Sequence, residues 1–371
     1  PDVSVNGGVA QTQQKIKGRD KVNLANYSLG LLVNYEVDLW GKISATQKSS
    51  KLQLKASRED VSTAIMSISA QIAETWVNLI SLKNQEKALR RQLDINQKLL
   101  ELIKFRFENA RASAIDIYQQ QQAISAINSG LIPLTAQQQL LKHQLALLLG
   151  KNPVNNTLIL DENTFPQISE TPEPGLPLDL IAMRPDVRAA GLRLKAANWE
   201  ITVARADRLP SLRLTASNTF SSDEFATLFD NWLINLAANA VGPVFDGNRR
   251  KNEIKRVEAV VDERIASYRK IVITAIKEVE DALVKEKYNR LSLRAIQQQL
   301  KISEKTFNEA GSRYLNGVSD YLPVLREQLN ITAFENSIIK AKADIIIARI
   351  QLKKAIGGSW ADKIQAKATE K

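Results

Sequence analysis

The residues best suited to chemistry are few. His143 is the only histidine among the 371 residues, and cysteine is absent. A lone histidine moves protons or binds metal only with partners, and His143 stands on a helical stretch among Leu141, Leu145 and Leu148; it reads as a core or interface histidine rather than a base or ligand. Without cysteine there is no disulfide framework, thiolate metal site or cysteine nucleophile. The glycine pairs Gly7-Gly8 and Gly357-Gly358 lack the surroundings of a phosphate-cradling loop. Only Met66 and Met183 are present, too few to line a path for copper. Arg249, Arg250, Lys251, Lys255 and Arg256 form the one dense basic cluster, with no interleaved aromatics to stack on bases. No enzymatic reaction, metal or cofactor is expected, and nucleic acid is a poor partner.

The elements around these residues are extended ones. Aromatics make up 6% of the chain while Gln, Ala, Leu, Ile and Lys are abundant, the profile of long helix rather than of several compact cores. The net charge of +11 comes from bases interspersed with acids, which reads as a solvated face. No run reaches the roughly 18 to 20 apolar residues of a membrane-crossing helix, and Pro1 to Ala10 has no signal-peptide pattern. A start at Pro rather than Met suggests processing or truncation, with any export signal upstream.

An internal repeat organises the chain. Arg106-Phe107-Glu108-Asn109-Ala110 aligns with Arg313-Tyr314-Leu315-Asn316-Gly317, and Leu149-Gly150 with Ile356-Gly357, all 207 residues apart. Pro1 to Val5 matches Pro210 to Leu214 at 209. The unit is a strand pair, a long helix, a turn and a return helix, occurring twice. Residues 178–209 have no counterpart in the first copy, which suggests a helix missing before Pro1.

Each copy opens with alternating segments. Leu212, Leu214, Ala216 and Phe220 share one strand face, and Arg213, Thr215, Ser217 and Thr219 the other. Tyr27, Leu29, Leu31, Val33, Tyr35, Val37 and Leu39 alternate with polar residues and glycine, Trp232 to Val244 alternates more loosely, and Pro1 to Val9 completes four strands. Two soluble hairpins with one buried face would fit the pattern. Strands near ten residues with aromatic ends also suit a bilayer crossing. Four such strands cannot close alone, so a membrane barrel would need several protomers.

Neither Gly nor Pro occurs from Lys42 to Ser129 or from Asn248 to Ala310. Sixty-odd helical residues at 1.5 Å rise span roughly 90 to 100 Å. Val61, Ile65, Ile68, Ile72, Trp76 and Leu79 are spaced by fours and threes, as are Ile254, Val257, Val261, Ile265, Tyr268 and Val272, so the helices should pack laterally as coiled-coil hairpins. The hairpins turn at Asn109 to Asp116 and at Asn316 to Pro323, and glycine ends the return helices at Gly150 and Gly357. A cytosolic coiled-coil scaffold would share these helices but leaves the strand pairs unexplained.

Five segments carry a resemblance to a known family: Glu36 to Lys42, Arg184 to Ala190, Gly242 to Gly247, Tyr314 to Leu325, and Ala355 to Trp360. The chain resembles the TolC-type outer-membrane factors, in particular the lipoprotein branch serving resistance-nodulation-division multidrug pumps. The resemblance implies an α+β membrane protein: a long α-helical barrel of coiled-coil hairpins, a transmembrane β-barrel of four strands per protomer, and an equatorial mixed connector. It divides the chain into strand pairs at 1–40 and 210–245, helical hairpins at 41–150 and 246–357, a connector at 151–177, a helix at 178–209 and a tail at 358–371. The implied function is a passive exit duct of a homotrimer in the bacterial outer membrane, with its helices in the periplasm, meeting a periplasmic adaptor and an inner-membrane pump. A type I protein-secretion duct or a metal-efflux duct would share the fold.

The resemblance also assigns sites. Related channels carry acidic residues inside the second tip, at positions that fall here on Pro323 and Arg326, while an acid sits at Asp320. Leu322 falls on an apolar constriction. The expected gate is therefore a ring of Leu322 with Asp320 and Arg326 setting the field and Asp116 on the first tip. Adaptor contact is expected at Asn316, Gly317, Val318 and Ser319, and at Asn109, Ala110, Arg111 and Ala112, where Ala110 replaces a glycine and Arg111 an apolar residue.

Overall fold

The computed structural model describes residues 1–15, 17, 22–153, 164–167 and 181–358. Most of the connector, the start of the following helix and Ser359-Trp360 lie outside the described residues. Four strands, β1 (Asp2–Gln14), β2 (Val22–Val37), β3 (Ser211–Ser222) and β4 (Trp232–Val241), form one antiparallel sheet in the order β1-β2-β3-β4. The first strand runs past Val9, where the alternation was expected to stop. The fourth ends at Val241, because Gly242-Pro243 follows and Pro cannot donate to the ladder. The helices are α1 (Lys42–Glu108), α2 (Ala114–Leu148), α3 (Pro185–Ala206), α4 (Arg249–Leu315) and α5 (Leu322–Ala355). Among the described residues no helix is long and apolar enough to cross a membrane.

The repeat is carried by the backbone itself. α1 and α4 each have 67 residues and begin and end 207 apart. Left-handed φ values recur at the same offset: Gly41 (72°) and Asn248 (65°), Ala110 (55°) and Gly317 (75°), Gly150 (68°) and Gly357 (79°). At the ends of α1 and α4 the turn closes identically, with Ala110 N–H donating to Phe107 O (2.9 Å) and Arg111 N–H to Arg106 O (2.8 Å), matched by Gly317 to Tyr314 (3.0 Å) and Val318 to Arg313 (2.9 Å). This pair of bonds satisfies carbonyls that a helix end leaves orphaned.

Contacts divide the chain into two compact units, one of residues 1–57 and 189–269, the other of 58–188 and 270–371. In the first, the family-like segments have local jobs. Asp38 accepts from Ile43 N–H and Ser44 N–H (2.9 Å each) and from the Ser44 hydroxyl (2.6 Å) at the start of α1. Asp246 accepts from Arg250 N–H at the start of α4 (3.2 Å). Trp40 Nε1 donates to Pro210 O (2.7 Å), and a Cβ on Gly242 would lie 2.9 Å from the Pro210 ring.

The second unit holds both tips and two buried ionic knots. Arg184 is 4% exposed, pairs with Asp186 and Glu278 (2.7 Å each) and donates from Nη1 to Ala355 O (2.9 Å). It thereby ties the start of α3 to α4 and to the end of α5, where a Cβ on Gly357 would lie 3.3 Å from the Arg184 backbone. Further along, Glu286, 0% exposed, takes a two-pronged contact from Arg349 (2.6 and 2.9 Å) and a bond from Arg290 (2.9 Å).

One expected stripe shifts. Val61 and Ile68 are exposed, while Ser62, Met66 and Ala70 are buried. The chain covers the side of α1 that carries Ser62, Met66 and Ala70 and leaves Val61 and Ile68 on an uncovered flank. The second stripe holds, with Val257 and Val261 buried. His143 is exposed rather than in the core, one face away from buried Leu145.

Candidate functional site at the hairpin tips

Two helix starts and two helix ends meet at the tips. Ser113 caps α2 by accepting from Ile115 N–H (3.2 Å), and its own N–H donates to Asp116 Oδ2 (3.1 Å). This reciprocal capping box fixes the turn; Asp116 thus has a structural task as well as its expected place in the gate. α5 begins differently, with Tyr321 before it and Pro323 in its first turn, where the missing proline N–H is no loss.

Beneath the turns lies a small core of Ile103, Ala123, Ala310, Tyr314, Tyr321, Val324 and Leu325. Tyr321 is 1% exposed and its hydroxyl donates to Gln120 Oε1 (2.7 Å), while Gln120 Nε2 donates to Asn96 Oδ1 (3.0 Å) and O (2.8 Å). The polar seam continues through Gln92, which donates to Glu335 (2.9 Å) and accepts from Gln328, and through Arg91 to Glu335 (2.7 Å). Burial raises the Tyr321 pKa, with Tyr314 and Asp116 adding to it; Tyr314 is raised by burial and Asp116 against the opposing Arg106. Both tyrosines stay neutral over the physiological range.

Arg106 binds the tips together. Its guanidinium donates to Tyr314 O and Leu315 O (3.2 Å each) at the end of α4 and to Arg111 O (3.4 Å), and lies 4.8 Å from the Tyr314 ring centroid. Sequence reasoning passed over Arg106, Gln120, Tyr314 and Tyr321 as functional positions. The recurrence of arginine at 106 and 313 was the available signal.

A groove of about 670 Å³ between the turns is lined by Ala110, Arg111, Ala112 and Asp116 from one tip and by Gly317, Ser319, Asp320 and Leu322 from the other. It joins most residues of both expected sites. Asn109, Asn316, Val318 and Arg326 do not line it. Asn109 instead turns back to Phe105 O (2.7 Å), Val318 is 65% exposed, and Arg326 is exposed one turn along α5 from Leu322, itself 57% exposed. Among the described residues no group of three or more His, Asp or Glu could hold a metal ion.

A duplicated long helical hairpin, joined in sequence to a sheet with one apolar face, is the chain plan of outer-membrane channels. The structure matches that of the outer-membrane channel OprN with a TM-score of 0.88, covering 97% of this chain and 82% of that one at 23% identity. The outer membrane efflux protein family matches residues 1–151 and 176–358, and the chain belongs to that family. It is 32% identical to the pyoverdine export outer membrane protein OpmQ of Pseudomonas aeruginosa over 90% of this chain and 70% of that protein. With the toluene efflux pump outer membrane protein TtgF of Pseudomonas putida it shares 28% identity over 96% of this chain and 75% of that one. The protein is an efflux duct of the outer membrane.

Proposed function

We propose that three copies close a transmembrane barrel from their sheets and a tunnel from their hairpins, and that the tunnel passively conducts small molecules delivered by a periplasmic adaptor and an inner-membrane pump. Segments 1–40 and 210–245 then form the membrane part, 41–150 and 246–357 the tunnel wall, and 151–177 an equatorial connector. The carrying observation is the register of the sheet. Val3 faces Val33, Val5 faces Leu31 and Val9 faces Tyr27; Leu29 faces Phe220, Val33 faces Ala216 and Tyr35 faces Leu214; Leu214 faces Ala238, Ala216 faces Leu236 and Asn218 faces Ile234. One face is thus almost wholly apolar across all four strands, and Val5, Val9, Trp232 and Leu236 on it are each at least 64% exposed. Ser4, Asn6, Ser28, Asn34, Thr215, Ser217 and Asn235 fall on the other. A lipid-facing exterior, a wet interior and two unpaired edge strands are what a shared barrel needs.

At the hairpin tips, a ring of Leu322 narrows the duct, with Asp320, Arg326 and Asp116 around it. The adaptor seats on Asn316, Gly317, Val318 and Ser319 and on Asn109, Ala110 and Arg111. The exposure of Leu322, Arg326 and Val318 supports these assignments.

Purified protein in a planar bilayer should show discrete single-channel conductance as a particle of three subunits; a non-conducting monomer refutes the duct. Rings of like charge at a constriction select ions by sign, so Arg326→Asp should move the reversal potential toward cation preference. An unchanged potential removes Arg326 from the gate. A cysteine at position 318 should crosslink to the adaptor, and no crosslink in an active pump removes Val318 from the contact.

A further inference from the structure

The tip contact made by Arg106 has a shifted counterpart that one chain cannot complete. Arg106, in the last turn of α1, reaches from the first hairpin to the second and caps the carbonyls of Tyr314 and Leu315. Residue for residue, 207 positions on, Arg313 occupies the last turn of α4. Its side chain is exposed, and among the described residues no hydrogen bond or ion pair engages its guanidinium.

The acceptors equivalent to Tyr314 O and Leu315 O are the carbonyls of Phe107 and Glu108, at the end of α1. Their surroundings match: Phe107 O receives one bond from Ala110 N–H (2.9 Å), as Tyr314 O does from Gly317 N–H (3.0 Å), and a carbonyl has capacity for a second. Phe107, 45% exposed, offers an aromatic face where Tyr314 offers one to Arg106, and Glu108 adds an exposed carboxylate. The negative end of the helix dipole favours a cation there.

The step from the first hairpin to the second is made inside the chain. The same step taken from the second hairpin finds no further hairpin of its own chain, and only the first hairpin of a second copy supplies the acceptors. We propose that Arg313 caps α1 of the partner subunit, completing a ring of arginine caps that alternate within and between subunits. This rests on the trimeric reading above and on the internal likeness of the two hairpins. That likeness extends to side chains, since Gln120 bonds Asn96 in the first hairpin and its equivalent Glu327 bonds Ser303, the equivalent of Asn96, in the second.

The other ties of the seam inside the chain do not recur. Shifted by 207, the Tyr321 bond to Gln120 becomes Ala114 beside Glu327, and the Arg91 and Gln92 contacts to Glu335 become Gln298 and Gln299 beside Asn128. Only the Gln92–Gln328 pair keeps its chemistry, as Gln299 beside Gln121. Of the charged ties in this seam, only the arginine cap therefore recurs between subunits.

The absence of native cysteine makes the test direct. In the full chain, Arg313→Cys with Glu108→Cys, treated with a short bifunctional thiol reagent, should give two-subunit and three-subunit bands on denaturing gels. Arg106→Cys with Leu315→Cys should react yet stay at one subunit, which checks the fold and the cap within the chain. If the particle has the mass of three subunits and the 106/315 pair reacts while the 313/108 pair yields only one-subunit bands, the Arg313 contact is overturned and the duct reading stands. A native mass of one subunit overturns both.

Discussion

The buried knot at Glu286 gives the sharpest stability test, because the repeat contains its own control. Glu286 is fully buried and gripped by Arg349, which is 6% exposed, while Arg290 is partly in solvent. Removing the carboxylate takes its two-pronged partner from the buried Arg349 charge, at a cost of about 3 to 5 kcal/mol; the exposed share of Arg290 adds little. The equivalent position in the first copy is Leu79, also 0% exposed, so the same site in the same fold already accepts a leucine. Glu286→Leu alone should therefore lose about 4 kcal/mol, and Glu286→Leu with Arg349→Leu should be within about 1 kcal/mol of the native protein, since well-packed apolar replacements of a buried pair are often neutral. With an unfolding entropy of roughly 2.1 cal/mol/K per residue over 371 residues, the single substitution lowers Tm by about 5 °C. Circular dichroism of the detergent-solubilised protein during heating reads both variants. A single variant as stable as the double would show that the pair is not desolvated as described, and the reasoning fails.

Other expectations follow from the same contacts. Ala110 holds a φ of 55° where its equivalent is Gly317 at 75° with open space around its Cβ; Ala110→Gly should stabilise the first turn and Gly317→Ala destabilise the second, each by about 1 kcal/mol. Amide exchange at Arg111 and Val318 should respectively slow and quicken about fivefold, and equal exchange before and after refutes the strain. Tyr321→Phe strands a buried Gln120 acceptor and should cost about 1 to 3 kcal/mol, read as a lowered denaturant midpoint; an unmoved midpoint means water replaces the hydroxyl. For Asp186, burial raises the pKa but the Arg184 hydrogen bond and charge outweigh it, so the folded value lies below the usual one. Its stabilising share is therefore present at neutral pH and lost as pH falls through the acid range, and Asp186→Asn should flatten that limb of the stability profile.

Much of this was legible because the repeat is a property of backbone as well as sequence. The helix bounds at 42 and 249, the glycine stops at 150 and 357 and the apolar parity of the strands all depend on local residue types. Side-chain partnership was less legible. Val61 and Ile68 have coiled-coil spacing, but spacing does not say which flank the chain covers, and the chain covers the side of Ser62, Met66 and Ala70. Arg184 opens one of the segments that carry the family resemblance. Its partners Glu278 and Ala355 are some 90 and 170 residues away, beyond any periodic signal. Asp116 was visible as an acid near a turn, and only the geometry reveals the capping box with Ser113.

The two tips share a backbone but not their charges, and this bears on how the duct narrows. Shifted by 207, Asp320 becomes Ser113 and Arg326 becomes Gln119, whereas Leu322 becomes Ile115. In the proposed constriction Asp320 and Arg326 bring charge from the second tip and Asp116 from the first, at positions that are not equivalent, whereas apolar bulk comes from equivalent positions: Ile115 is 63% exposed and Leu322 57%, each at the same point of its return helix. If Leu322 narrows the duct, Ile115 occupies the same level of the wall. Leu322→Ala should then raise closed-state conductance only in part, and Leu322→Ala with Ile115→Ala should raise it further, as the apolar constriction widens and rewets. Equal conductance in the single and double variants would confine the constriction to the second tip. In that case the left-handed turn shared by the two copies preserves their shape without giving them a common part in the gate.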